Sequence, residues 1–132
     1  MAEKPNSQDW KDWLARAEEE VISGEVLKQS GNPQTTRNIC LVSHQIVEKS
    51  LKALHLKRKG KLPGKIHELV KLASDLDLPE LKLPDIVTII RKLDEFYVPM
   101  KYPDGEPLPP WNMAVKALED AKTVLELVKK LI

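Results

Sequence analysis

The 132-residue, 15.0 kDa chain is long enough for one hydrophobic core and too short for two independent cores, so a single domain over residues 1–132 is expected. Its 42% apolar and 31% charged content is typical of a globular protein, and 21 basic against 20 acidic side chains exclude a global electrostatic attraction to nucleic acid. The chain has a single cysteine, Cys40, which is typical of a protein in the reducing cytoplasm. It has no apolar run near the ~20 residues needed to cross a bilayer, so we expect a cytoplasmic protein outside the membrane.

Apolar residues recur at helical spacing in five segments, and no useful length alternates with a period of two. The first predicted helix begins after Ser7, a good N-cap residue, and ends at "SGNP", residues 30–33. The second runs from about Gln34 to Lys59 and ends where "KGKLPGK" supplies two glycines and a proline. Both boundaries follow from residues that cap or break helices.

Three further helices are predicted in the second half of the chain. A short one covers residues 67–76, a fourth covers residues 85–98 between Pro84 and Pro99, and the fifth starts near Pro110 or Asn112. The sequence therefore predicts an all-α fold: an up-and-down bundle of about five helices, built from two long antiparallel pairs plus a short helix.

The second helix, "RNICLVSHQIVEKSLKALHLKRKG", raises the main functional question. On a helical wheel its apolar residues share one arc, whereas Gln45, Lys49 and Lys52 point largely away. A polar stripe follows the rim of that arc, a position suited to cover by another helix or a second subunit. The predicted interface residues on this helix are Arg37, His44, Glu48, Leu51 and His55.

Arg37 and His44 are also weak catalytic candidates. They differ by about 20° in direction and by about 10.5 Å along the helix axis. A histidine can move the proton of a ribose 2′-hydroxyl while an arginine stabilises phosphoryl charge, so "RNICLVSH" is compatible with metal-independent RNA cleavage. The alternative is a packing helix that carries both residues for structural reasons. Neither His55 nor His67 has neighbours at metal-ligand spacing, and no metal or other cofactor is predicted.

Three segments in order resemble the HEPN ("higher eukaryotes and prokaryotes nucleotide-binding") domain family. The run from Gln45 to Leu54 resembles the signature of its second helix, and Pro63 followed by His67-Glu68-Leu69 resembles its next element. Tyr97 followed by Lys101-Tyr102-Pro103-Asp104 resembles its Tyr-x-x-x-Arg-Tyr-Pro-Asp loop, with Lys in place of Arg. The resemblance spans nearly the whole chain.

This resemblance implies a helical bundle that forms a homodimer and pairs with a minimal nucleotidyltransferase, in some cases as toxin and antitoxin. Ribonuclease members carry their Arg and His near the start of the last long helix, where this chain has no His. The resemblance therefore places this chain in the Tyr-Pro-Asp branch. Lysine also lacks the bidentate fork that arginine offers to a phosphate.

The loop supplies the predicted ligand-binding residues Tyr97, Lys101, Tyr102 and Asp104. The loop carries two aromatic rings, one cation and one carboxylate, and its prolines restrict its shape; such a loop can stack a base and bind a phosphate. The alternative is that the same residues pack the loop onto the bundle. The leading hypothesis is a HEPN module that binds a nucleotidyltransferase-like protein, with nucleotide or RNA as a further ligand. The alternative is an endoribonuclease whose Arg37 and His44 form a composite site across a dimer.

Overall fold

The computed structural model describes residues 7–64, 67–97 and 107–132. Five α-helices in this part of the chain confirm the predicted all-α bundle: α1 (Trp10–Gln29), α2 (Thr36–Lys59), α3 (Leu69–Leu76), α4 (Pro84–Asp94) and α5 (Trp111–Leu131). Short 3₁₀ turns at Pro33–Thr35 and Pro79–Lys82 precede α2 and α4. None of the helices within the described ranges combines the length and apolar composition that a membrane span requires.

Helix boundaries differ from the predictions by a few residues, most clearly at the start of α1 and the end of α4. Asp9, not Ser7, caps α1, because its side chain accepts from the backbone N–H of Lys11, while the Ser7 hydroxyl accepts from the backbone N–H of Asp9. Helix α4 ends at Asp94, before the predicted end, and Pro99 lies outside the described residues. Gly60 ends α2 as predicted, with a φ of 73° that favours glycine.

The long helices pack around α2. Helix α1 lies antiparallel to α2, since Glu20 pairs with Lys49 while Trp13 meets Lys52. Helix α5 is also antiparallel to α1, and it packs mainly along α2 rather than along the 11-residue α4. The short helices α3 and α4 cover the remaining side of α2.

Central placement makes α2 buried around most of its circumference from Ser43 to Leu56. The prediction that Lys52 points away from the core is therefore wrong, because only 6% of this residue is exposed. Cys40 is fully buried, and burial raises the pKa of its thiol to about 11, so it acts as a small core residue.

Candidate functional site

A polar cluster lies where α2 meets the start of α3 and the end of α4. Helix α2 contributes three residues at intervals of four, so their side chains lie on one face. The remaining residues are distant in sequence and arrive through the fold. We define the His44 cluster as His44, Glu48, Lys52, His67, Asp94 and Tyr97.

His44 is the centre of this cluster and is completely buried. Its Nδ1 lies 3.7 Å from Oε1 of Glu48, and its Nε2 lies 3.8 Å from Oδ1 of Asp94. Within the described residues, neither ring nitrogen has a hydrogen-bond partner. Most buried polar atoms in proteins are hydrogen-bonded, so the two ring nitrogens of His44 are an exception that the flanking carboxylates approach without satisfying.

Burial lowers the pKa of His44, and this effect outweighs the opposing influence of Glu48, Asp94 and the His67 backbone. The ring is therefore neutral at pH 7. A neutral imidazole carries one N–H and one lone pair, so one of the two carboxylates faces an unprotonated nitrogen. Protonation would let both nitrogens donate, which makes this site responsive to acid.

Glu48 is the most connected member of the cluster. Its Oε2 accepts from Nζ of Lys52 at 2.8 Å and lies 3.0 Å from Nδ1 of His67. Burial raises the pKa of Glu48, but the hydrogen bonds and charges of Lys52 and His67 outweigh burial and hold the pKa below its ordinary value. Lys52 also lies 5.5 Å from the centre of the Trp13 ring, which gives its buried ammonium a second favourable contact.

Asp94 ties α4 to the start of α3. Its Oδ1 accepts from the backbone N–H of Leu69 at 2.9 Å, and its Oδ2 accepts from that of Val70 at 3.3 Å. A carboxylate at this position satisfies two otherwise unpaired amides and complements the helix dipole. The cap of α3 therefore comes from another helix, and the same carboxylate faces His44.

Tyr97 lies between the buried and the exposed histidine. Its ring centre is 4.8 Å from that of His44, and it stacks on His67 at 5.3 Å with planes 10° apart. The side chain of His67 is 50% exposed, whereas Tyr97 is half-buried. Tyr97 thus links the surface to the buried cluster, at the residue where the predicted ligand loop begins. The predicted ligand residues Lys101, Tyr102 and Asp104 lie outside the described residues.

The two weak catalytic candidates, Arg37 and His44, are not hydrogen-bonded to each other. Arg37 is half-buried at the second residue of α2, and neither ring nitrogen of His44 is hydrogen-bonded to it. Leu51 is fully buried, and Nε2 of His55 lies 2.9 Å from the carbonyl oxygen of Leu72. The chain's own helices cover His44, Glu48, Leu51 and His55; their assignment to an interface between chains stays a prediction.

Sequence reasoning did not find Asp94 and placed Lys52 wrongly. Asp94 lies 50 positions after His44, and no short motif relates it to the start of α3. The spacing of Glu48 and Lys52 did indicate their ion pair, but not its burial. In the described ranges, no three His, Cys, Asp or Glu side chains are grouped closely enough to hold a metal ion.

We expect stability to fall as the pH drops below about 6.5, the ordinary pKa of histidine. Burial lowers the pKa of both His44 and His55 in the folded chain, so the unfolded chain binds protons first. Each such proton costs up to about 1.4 kcal/mol per pH unit. Urea unfolding at pH 7.5 and 5.5 measures the loss, and His44→Phe should reduce it. Ser23→Val, at an exposed position of α1 without a titratable side chain, is the control and should keep the wild-type slope; equal stability at both pH values would refute the assignment.

Comparison with known proteins gives one family. The family model described as HEPN domain matches residues 10–131. Among solved structures, TT1696 from Thermus thermophilus is similar with 29% identity and a TM-score of 0.74, over 93% of this chain and 98% of that chain. ST0689, an archaeal HEPN homologue, is similar with 25% identity and a TM-score of 0.73, over 93% and 97% of the two chains. No curated protein matches.

Proposed function

This chain belongs to the HEPN domain family, and on that premise we propose that it is a binding module without nuclease activity. In this proposal, a homodimer associates with a nucleotidyltransferase-like protein, the two forming a toxin–antitoxin pair in the cytoplasm. A nucleotide binds at the Tyr97 end of α4, where the Tyr-Pro-Asp segment begins.

The burial of His44 is the observation that carries the proposal. A general base must come within hydrogen-bonding distance of the substrate proton, about 2.6–3.2 Å. The His44 ring is 0% exposed and lies behind Tyr97, so an RNA strand cannot reach either nitrogen without displacing the end of α4. Within the fold, the ring is flanked by the carboxylates of Glu48 and Asp94, at 3.7 and 3.8 Å, which gives it a structural setting.

The exposed side of the cluster supports a binding role. His67 and Tyr97 form a stacked aromatic pair whose outer member is half exposed. A nucleobase that stacks on such a platform gains about 1–3 kcal/mol. Glu48 orients His67 through its Nδ1, so the platform is held from beneath by the buried Glu48–Lys52 pair. The buried cluster in this view positions the surface and does no chemistry.

Light scattering on a sizing column tests the assembly. The protein alone should have twice the 15.0 kDa chain mass, and co-expression with a nucleotidyltransferase encoded beside it should give a heavier joint peak. In calorimetric titration with ATP, Tyr97→Ala should weaken binding at least about fivefold because it removes the ring that supports the exposed face of His67, whereas Tyr97→Phe keeps that ring and should bind as the wild type does. A monomer without a joint peak, and ATP binding indifferent to Tyr97, would refute the proposal.

An RNA-cleavage assay in the presence of a chelator distinguishes the proposed binding module from the rival nuclease. Wild-type protein, His44→Ala and Arg37→Ala should all leave the RNA intact. Cleavage by wild-type protein that disappears in both variants would assign a composite Arg37 and His44 nuclease site and overturn the proposal.

A further inference from the structure

A second concave surface lies between α3 and α4. The α3–α4 groove is formed by one face of α3, the 3₁₀ turn Pro79–Lys82 and one face of α4, and it encloses about 370 Å³. Its floor is apolar and consists of Val70, Ala73, Leu81, Val87 and Ile90. None of these residues belongs to the His44 cluster, so the groove is a separate site.

The groove is preformed by the fold. Asp77 ends α3 with a φ of 51°, a left-handed conformation that is uncommon outside glycine, and there the chain turns back toward α4. Its carboxylate pairs with Lys82 across the turn, and this pair offsets the charge of Asp77. Small-molecule sites are usually of this kind: mostly apolar, largely preformed and with a few polar groups at the edge.

Arg91 makes the groove favour a ligand with a negative charge. It lines the groove from α4 and is solvent-exposed, and no ion pair joins it to another described residue. The charges of the paired Asp77 and Lys82 cancel each other. The net charge at the groove therefore comes from Arg91 and is positive. A guanidinium binds a carboxylate through two parallel hydrogen bonds, which suits a ligand with one anionic end.

The volume of the groove gives the scale of a ligand that would fill it. At roughly 30 Å³ per water-sized group, 370 Å³ holds about a dozen non-hydrogen atoms. Val70 lines the groove and is 43% exposed. A ligand in the groove can therefore bury apolar surface on Val70. We propose that the α3–α4 groove binds a small amphiphilic monocarboxylate, with its apolar body on the floor and its carboxylate on Arg91.

Decanoate, with about 12 non-hydrogen atoms, matches that capacity and is the probe, used below its micelle-forming concentration. Calorimetric titration should show one decanoate per chain, and neutral decanol should bind more weakly by at least about tenfold because it lacks the charge that Arg91 pairs with. Arg91→Gln should weaken decanoate binding by a similar factor. Lys92→Gln removes the neighbouring charge outside the groove and should bind decanoate as the wild type does.

A blocking variant separates this groove from other apolar surfaces. Ser74 is exposed and lines the groove, so Ser74→Trp fills it with little effect on the core, and a melting temperature near that of the wild type verifies folding. Decanoate binding should disappear in this variant. Absence of binding to wild-type protein, equal binding of decanol, or binding that survives both Arg91→Gln and Ser74→Trp would overturn the proposal.

Discussion

Glu48→Gln should destabilise the protein by about 3–5 kcal/mol, because it leaves a buried ammonium without its counter-charge. Glu48 is 8% exposed and Lys52 is 6% exposed, and their 2.8 Å hydrogen bond lies beneath Trp13. Removing one partner of a buried pair costs far more than the pair itself contributes, since desolvation of the remaining ion is no longer compensated. Denaturant unfolding at pH 7 measures the loss.

Two further variants test this explanation. Glu48→Leu combined with Lys52→Met should recover most of the stability, since an apolar pair of similar size has no charge to desolvate. Glu19→Gln removes the partner of Arg16 from a solvent-exposed pair and should change stability by less than about 1 kcal/mol. A loss below about 1 kcal/mol for Glu48→Gln itself would mean that water reaches Lys52 and that the cluster is open.

Gly24→Val should destabilise the protein by about 3 kcal/mol, because it forces bulk into the place where Gly24 of α1 packs against Leu118 of α5. A β-carbon at Gly24 would lie 2.6 Å from Cδ1 of Leu118 and 3.5 Å from Cγ1 of Val42. Leu118 is fully buried and has little room to move. The midpoint of urea unfolding reports the effect.

A double-mutant cycle attributes that loss to the contact. Leu118→Ala alone creates a cavity and should cost about 2–5 kcal/mol, but combined with Gly24→Val it should cost less than the sum of the two. Ser23→Val places the same side chain on the exposed face of α1 and should have little effect. Additive losses would show that Gly24 is required for a reason other than Leu118.

The His44 cluster explains how a motif compatible with nuclease chemistry can serve a structural role. The seven-residue spacing of Arg37 and His44 fits a helix with both residues near one face, which is also what a reactive site would need. Tyr97 and Asp94 lie beside His44, whose ring is closed to solvent, and this burial favours the structural role. The carboxylate of Asp94, at the end of α4, accepts a hydrogen bond from the first residue of α3 and also faces His44 on α2, so it links three helices.

The sequence by itself determined the order and approximate bounds of the five α-helices in the described part of the chain. These depend on local signals: apolar residues at helical spacing, breaks such as Gly60, and prolines before α4 and α5. The ordered segments that resemble the HEPN family also lie within the sequence, and the family assignment is confirmed. Both kinds of information are carried by residues close together in the chain.

Only the tertiary structure decided which side chains meet. The wheel of α2 assigned one core face, but α1, α5 and the α3–α4 pair cover the helix from several sides, so Lys52 and His44 are buried. Asp94 faces His44 although the two are 50 residues apart in the sequence, and Gly24 packs against Leu118 although they are 94 residues apart. Such contacts depend on how helices pack, and helical periodicity specifies a face of one helix without specifying the partner that covers it.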